Sequence, residues 1–371
     1  MCIRDSLNSS LHIYKGEPMV VWKELLRKVE VQSVYLNKDY EPYALERDRE
    51  LGNMLENQGV GFYRFKDQVI FEEGEILKKD GKPYTVFTPY KRKWLEKFQG
   101  AASLDIGGKV QAGFLQVNKP FPSLESLGFK PSPIDIPPYD LSALDNYPQL
   151  RDYPGPDATS HLSPHLRFGT VSIRKLIAGL DPSHEVFLSE LIWREFFMQI
   201  LFHFPQVVNQ NFNPKYNGIA WLNRPEDFER WCQGRTGYAL VDAGMRQLNE
   251  SGIMHNRVRM VTAGFLCKHL LIDWRMGEAY FAGKLLDFEL SSNNGNWQWA
   301  AGTGCDAAPY FRVFNPMEQL KKFDRDLEYA KRWVPEYGTP AYPTPMVDHK
   351  HARNRALETY KEAIRNYLPE G

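Results

Sequence analysis

The 371-residue chain has little cysteine, no net charge and no long apolar run. Its four cysteines, Cys2, Cys232, Cys267 and Cys305, show no C-x-x-C spacing. That argues against a disulfide framework and a zinc site alike, and it fits a reducing cytoplasm. Lys plus Arg and Asp plus Glu each number 46, so any polyanion site must be a local patch and not a property of the whole surface. No apolar stretch approaches a membrane span and no signal-peptide core follows the start, so no membrane association is expected. Also missing are G-x-x-x-x-G-K-[ST], G-x-S-x-G and H-E-x-x-H, while GTGCDA at 302–307 lacks the third glycine and the preceding strand of a dinucleotide fingerprint. Nucleotide hydrolysis, triad hydrolysis and zinc proteolysis are therefore unsupported. Neither an internal repeat nor a low-complexity tract is present.

What the chain has in excess is aromatic side chains, 13% of residues, with six of its nine tryptophans between 193 and 299. The densest stretch is SSNNGNWQWAAGTGCDAAPYFRVFNP at 291–316, where only Asp306 and Arg312 carry charge. Such a segment is no solvated surface run. Its small residues allow close backbone approach, and Asn293, Asn294, Asn296 and Gln298 place hydrogen-bonding amides among rings, as a pocket for a large flat ligand would. A glycine-rich turn packed on an aromatic core is the other reading.

In chain order, MCIRDS at 1–6 fits no periodic pattern and is set aside. Helical spacing over 19–28, a strand-like run at 31–36, a helix over 43–55 stopped by Gly59, and a strand-like VGFYRF at 60–65 give the grammar of a parallel α/β sheet with too few strands to be complete. Periodicity weakens from about 69, and residues 101–150 hold seven of the 25 prolines, which predicts a connector laid over the surface. Beyond it helical patterns dominate, over 185–204, 237–249 closed by Gly252, 256–272 and 277–290, with no comparable strand after 150. The expected domains are a partial α/β domain over 7–68, a linker over 69–128 and an all-α domain over 129–371.

Four constellations could carry chemistry. In YPGPDATSHLSPHLRFG at 153–169, Thr159, Ser160 and Ser163 put hydroxyls ahead of a helical run, where they serve either as caps or as part of an anion site. In SELIWREFF, Glu190, Trp193, Arg194 and Phe197 fall at i, i+3, i+4 and i+7, a face that is either a pocket wall or the seat of a Glu190–Arg194 ion pair. MHNRVRM puts Asn256 and Met260 on one face and Arg257 and Arg259 on neighbouring ones, and His255 has no second ligand at metal spacing. Trp221, Trp274 and Trp297 lie on separate elements, so they are either core or a chain that could relay an electron.

Taken in order, TSHLSPHLRFG, SELIWREFF, GYALVDAGMRQLNESGIMHNRVRM, LLIDWRMGE and NNGNWQWAAGTGCDAAPYFRVFNP make the chain similar to the photolyase/cryptochrome family of flavoproteins, most closely its bacterial cyclobutane-pyrimidine-dimer photolyases. The resemblance runs from about residue 10 to the end. It implies a Rossmann-like α/β N-terminal domain with a partial parallel sheet, followed by a large all-α domain that binds FAD and DNA. By motif position Tyr147, Thr159, Ser160, Leu162 and Ser163 would hold the phosphates and ribityl chain. Arg194, Asp287 and Asn293 would line the isoalloxazine, Asn293 at N5, with Arg259 paired to Asp287. Many relatives carry Asp-x-Asp where this chain has Asp287 and Glu289, one methylene longer at the second position.

The resemblance also implies that Glu190, Trp193, Asn256 and Met260 contact the pyrimidine dimer and that Arg151, Arg257 and Arg312 meet DNA. Trp297, Trp274 and Trp221 would form the electron relay from the flavin outward. The implied activity is light-driven splitting of cyclobutane dimers by an electron from reduced FAD, a carbon–carbon lyase reaction, with Glu190 stabilising the radical anion. Asn256 stands where (6-4) photolyases carry His, and the chain stops soon after the helical core, so repair of cyclobutane dimers is expected over (6-4) repair or blue-light signalling. Relatives open with a strand and an Arg-rich loop that this chain lacks, so a start partway into the α/β domain and an exposed sheet edge are expected. The Asn-Glu pair of folate-binding members falls at Tyr43 and Ala44, which argues against a folate antenna. A cytoplasmic monomer without a metal, with damaged DNA as its partner, completes the expectation.

Overall fold

The computed structural model describes residues 9–98, 113–115, 117 and 119–368. The residues 1–6 set aside above, and the part of the expected connector at 99–112, lie outside these. Contacts divide the chain into two compact units, one within Met1–Gln68 and Gly100–Asp135, the other within Val69–Gln99 and Ile136–Gly371.

The first unit is built on one β-α-β crossover. Pro18 opens α1 (Pro18–Lys28), where its missing N–H costs nothing, and the Glu17 carboxylate accepts the Val20 N–H at 3.1 Å. β1 (Ser33–Asn37) and β2 (Gly61–Phe65) pair in parallel, from Ser33 opposite Gly61 to Asn37 opposite Phe65, and α2 (Pro42–Glu56) makes the connection between them. Gly59 ends that connection at φ +70°, a conformation costly for any side chain. Val34, Leu51, Leu55 and Val60 form the core, with Met19, Trp22 and Leu26 of α1 packed against it. On β1 and β2, Tyr35 stacks on Tyr63 at 5.1 Å and on Phe65 at 6.1 Å, and all three rings are exposed.

The second unit is helical, with no strand among its described residues. Its helices in order are α3 (Phe87–Lys97), the single turn α4 (Tyr147–Leu150), α5 (Leu162–Arg167), α6 (Ile173–Ala178) and α7 (Glu185–His203). Then follow α8 (Pro225–Cys232), α9 (Ala239–Ser251), α10 (Asn256–Gly264), α11 (Trp274–Ala282) and α12 (Leu290–Ala301). α13 (Pro316–Phe323), α14 (Glu328–Trp333) and α15 (His349–Arg365) complete the unit. Val241, Met245, Leu248, Val258, Phe265, Leu266, Trp274, Phe281 and Trp297, drawn from α9 to α12, belong to one continuous core. α7 packs on α12 and on α3.

Three sequence expectations need correction. The helix expected over 277–290 ends at Ala282, and a turn closed by Leu285 N–H to Phe281 C=O leads to α12. That turn delivers Asp287 and Glu289. The helix expected over 256–272 stays α-helical only to Gly264, continues as a wider π-type turn over Phe265–His269 and then stops, with Leu271 at φ 50°. The stretch opening at 291, read as a pocket wall or a turn, does wall a cavity with Ser292, Asn293, Asn296, Trp297, Trp299 and Ala300, but it begins as a helix and not a turn despite its Asn and Gly content. A Cβ on Gly295 would lie 2.1 Å from the Phe197 ring, so the glycine is there to let α12 approach α7, and packing overrides its poor helix propensity.

Part of the expected surface connector is also buried. Val69, Ile70, Phe71, Ile76, Tyr90 and Trp94 all have little exposure, because Glu195 of α7 gathers this segment. Its carboxylate accepts from Ile70 N at 2.6 Å, Phe71 N at 3.3 Å, Tyr90 Oη at 3.1 Å and Trp94 Nε1 at 2.7 Å. Among the described residues no helix is long and apolar enough to cross a membrane, and no group of three or more His, Cys, Asp or Glu could hold a metal ion.

Candidate active site

α5, α7, α10, α12 and the turn before α12 enclose a cavity of about 670 Å³. Such a volume suits a ligand of cofactor size. Trp297, Phe281 and Leu285 give it an apolar side, and polar groups enter from several elements.

Asp287 is the most constrained of these groups. Its Oδ2 accepts from Ser163 Oγ at 2.6 Å and from Arg259 Nη2 at 2.8 Å, while Arg259 Nε is fixed by the Met254 carbonyl at 2.8 Å. Burial alone would raise this carboxyl, but the Arg259 charge and the two hydrogen bonds bring it below the ordinary carboxylate value. The other oxygen, Oδ1, is buried with no partner. Ser163 sits inside the first turn of α5, not ahead of it, and its hydroxyl is engaged by Asp287. Thr159, Ser160, Leu162 and Tyr147 also line the cavity. Burial pushes the Tyr147 phenol up to about 12, so it stays a neutral donor.

Neither sequence reading of the Glu190 face was complete. Glu190 pairs across elements with Arg151 at 2.7 Å, and Arg194 lies 3.8 Å from Glu289. Glu289 in turn accepts from Ser291 Oγ at 2.6 Å and Ser292 Oγ at 2.7 Å. Trp193 is stacked on Phe87 at 3.6 Å and 9° and on Phe197 at 5.4 Å, which fixes its ring at the wall. Asn256 and Met260 enter from α10, and Asn293 from α12.

Asn293 Nδ2 donates to the Glu278 carbonyl at 3.1 Å and to its carboxylate at 2.7 Å, which sets the amide's orientation. Burial raises the Glu278 carboxyl. Glu278 escaped sequence reasoning although it closes the motif LLIDWRMGE, because no spacing rule links it to a residue beyond a turn. His255, which has no second ligand at metal spacing, borders the same cavity. Its Nδ1 accepts the Arg257 N–H at 3.1 Å, but Nε2 is buried without a partner beside the cavity. Burial lowers its pKa to about 4, so the ring is neutral near pH 7.

Four expected residues do not line the cavity: Trp221, Trp274, Arg257 and Arg312. Trp274 is buried, with Nε1 donating to Asn211 Oδ1 at 2.8 Å, and Trp221 meets Tyr360 edge-on at 6.0 Å. Arg257 pairs with Asp152 at 2.7 Å and lies 4.4 Å over the Phe323 ring; Arg312 is exposed. The cavity thus offers apolar walls, cationic and hydroxyl donors, and two unpartnered buried polar atoms, Asp287 Oδ1 and His255 Nε2. That donor set fits a flat heteroaromatic ligand with its own N–H groups and an anionic tail.

Comparison with known proteins agrees with this chemistry. Residues 187–340 match the family model described as the FAD binding domain of DNA photolyase, and residues 4–108 match that of DNA photolyase. The chain is 37% identical to a deoxyribodipyrimidine photo-lyase of Halobacterium salinarum, over 96% of this chain and 84% of that protein. Its structure is similar to that of a bacterial class III photolyase from Agrobacterium tumefaciens, with a TM-score of 0.81, 34% identity, and coverage of 95% and 83% of the two chains. An archaeal photolyase from Sulfolobus tokodaii, whose structure contains two FAD molecules, matches with a TM-score of 0.82 and 33% identity over 96% and 85%.

Proposed function

Because the chain belongs to the DNA photolyase family of flavoproteins, we propose that it is a deoxyribodipyrimidine photo-lyase, splitting cyclobutane pyrimidine dimers in damaged DNA with FAD and blue light. The observation that carries this is that Glu190, Trp193, Asn256 and Met260 line the same cavity as Arg194, Arg259, Asp287 and Asn293. One set is suited to a pyrimidine pair and the other to a flavin. When bound in its reduced form, the flavin supplies on excitation the electron that opens the dimer.

The protein's own part is to bind, orient and stabilise. Tyr147, Thr159, Ser160, Leu162 and Ser163 hold the phosphate and ribityl side of FAD. Arg194, Asp287, Glu289 and Asn293 hold its ring side, with Asp287 Oδ1 ready to accept a ring N–H and Arg259 keeping that carboxylate charged. Asn293, locked by Glu278, presents one defined edge of its amide. Trp193 offers a fixed face for a base, and photolyases are among the enzymes known to rotate their target out of the stack. Glu190, paired with Arg151, accepts a base N–H; Asn256 and the spare Arg151 donors then face the carbonyl oxygens that gain charge. Arg151, Arg257 and Arg312 supply the phosphate contacts, and lesion unpairing lowers the cost of extrusion. Trp297, Trp274 and Trp221 lead electrons inward to reset oxidised flavin. We assign the α/β unit to an antenna-type domain without folate, and the protein to the cytoplasm as a metal-free monomer.

The test is repair of oligonucleotides carrying a defined cyclobutane or (6-4) lesion, in blue light and in darkness, by protein with reduced FAD. Light-dependent restoration of the cyclobutane lesion alone is expected, with a lower yield and retained FAD in Glu190→Ala. Light-driven self-association without repair would overturn the proposal.

A further inference from the structure

Trp297 lines the cavity and is 2% exposed. Among the described residues its ring neighbours are Phe281, at 4.9 Å and 80°, and Trp231, at 6.1 Å and 71°. Trp231 is fully buried and has Tyr280 as its own neighbour at 5.8 Å and 63°. Tyr280 is half-buried, and its Oη donates to Asn249 Oδ1 at 2.6 Å and to the Cys232 carbonyl at 3.3 Å. Three oxidisable rings therefore run in sequence from the cavity wall toward the surface, and neither Trp274 nor Trp221 is among their ring contacts. Electron tunnelling falls steeply with separation, so adjoining rings are favoured steps.

We propose that Trp297, Trp231 and Tyr280 form a second electron path that reduces the flavin from solvent and ends on a tyrosyl radical. It rests on the reading of Trp297 as the residue facing FAD. Trp297 gives one electron to the light-excited oxidised flavin, Trp231 refills Trp297, and Tyr280 refills Trp231. The Trp231 N–H is held by the Thr262 carbonyl at 3.1 Å in a buried setting. A carbonyl is no base for that proton, so oxidised Trp231 stays a cation and a strong oxidant of Tyr280. Tyr280 is half-buried, so its oxidised phenol loses the O–H proton to solvent water, while the Asn249 amide oxygen orients the O–H without taking the proton. Lys284 Nζ lies 5.8 Å from the Tyr280 ring centroid, and its charge disfavours a phenol cation there, so electron and proton leave together. The net change is one electron to the flavin, one proton to solvent and a neutral radical on Tyr280. A soluble thiol then returns a hydrogen atom to it.

The test is electron paramagnetic resonance of FAD-loaded protein, frozen under blue light without thiol, with and without ring-deuterated tyrosine. A tyrosine-type signal that narrows on deuteration is expected in the wild type and in Trp274→Phe. Tyr280→Phe should abolish it, and Trp231→Phe should do the same while FAD absorbance shows the site intact. A tyrosyl signal that survives Tyr280→Phe overturns the path, and Tyr280→Phe decides the matter alone if Trp231→Phe does not fold. A signal that survives Trp297→Phe overturns the entry point and the path with it. Repair by chemically reduced Tyr280→Phe should equal the wild type. Absent repair in both, with the radical present, would sink the repair function while leaving this path standing.

Discussion

Asp287 concentrates the electrostatics of the cavity in one side chain, with Ser163 and Arg259 on one oxygen and nothing on the other. Replacing it with Asn leaves the Arg259 charge, 28% exposed, without its counter-ion. Breaking such a pair costs about 3 kcal/mol. Asp287→Asn should therefore unfold at lower urea and release FAD more readily, read by denaturation and by flavin fluorescence; an unchanged midpoint would show the pair to be idle. The carboxyl is held below its ordinary value, so its contribution is present above the unfolded pKa of about 3.9 and is lost as pH falls through the lower folded value. Residue identity at the site and the Arg259–Asp287 pair were legible mainly through motif resemblance, and the partners of Glu190 and Arg194 were not. The i to i+4 spacing of Glu190 and Arg194 pointed within one helix, whereas each found its partner on another element, Arg151 and Glu289. A spacing rule sees only its own helix.

At the scale of elements, α9 stood out because its end is marked locally, by Gly252 at φ 68°. α12 was hidden because Gly295 weakens the helix signal for the sake of contact with Phe197, and α3 because what fixes it comes from Glu195, about a hundred positions later. Burial raises the Glu195 carboxyl to about 7, with its four donors opposing the shift. The folded state then binds more protons than the unfolded state between the unfolded value of about 4.3 and about 7, so stability falls as pH rises through that window. Glu195→Gln keeps the acceptor for Tyr90 and Trp94 but not for Ile70. It should be less stable at pH 5 and lose the pH slope, which is on the order of 3 kcal/mol across the window. Urea unfolding at several pH values measures this, and an unaltered slope in the variant would assign it to other groups.

At the scale of the molecule, the switch from alternating helix and strand to helix alone made the two-part architecture readable, since that change of period is local. The units differ sharply in what supports them. Among the described residues four buried side chains centre the first around two strands, and sheets of that size are marginal by themselves. The helical unit has a core many times larger. Limited proteolysis of the full chain should cut first within 9–68 and leave FAD on a resistant helical fragment; first cuts within 185–301 would contradict this ranking. The cavity has a further consequence for how the protein is made. Its walls are contributed by residues as distant as Tyr147 and Arg332. During synthesis, which runs from the N-terminus, Arg332 is the last of them to leave the ribosome. Flavin therefore has no complete pocket to enter until Arg332 has emerged, and the nascent chain must hold its aromatic walls unfilled until then.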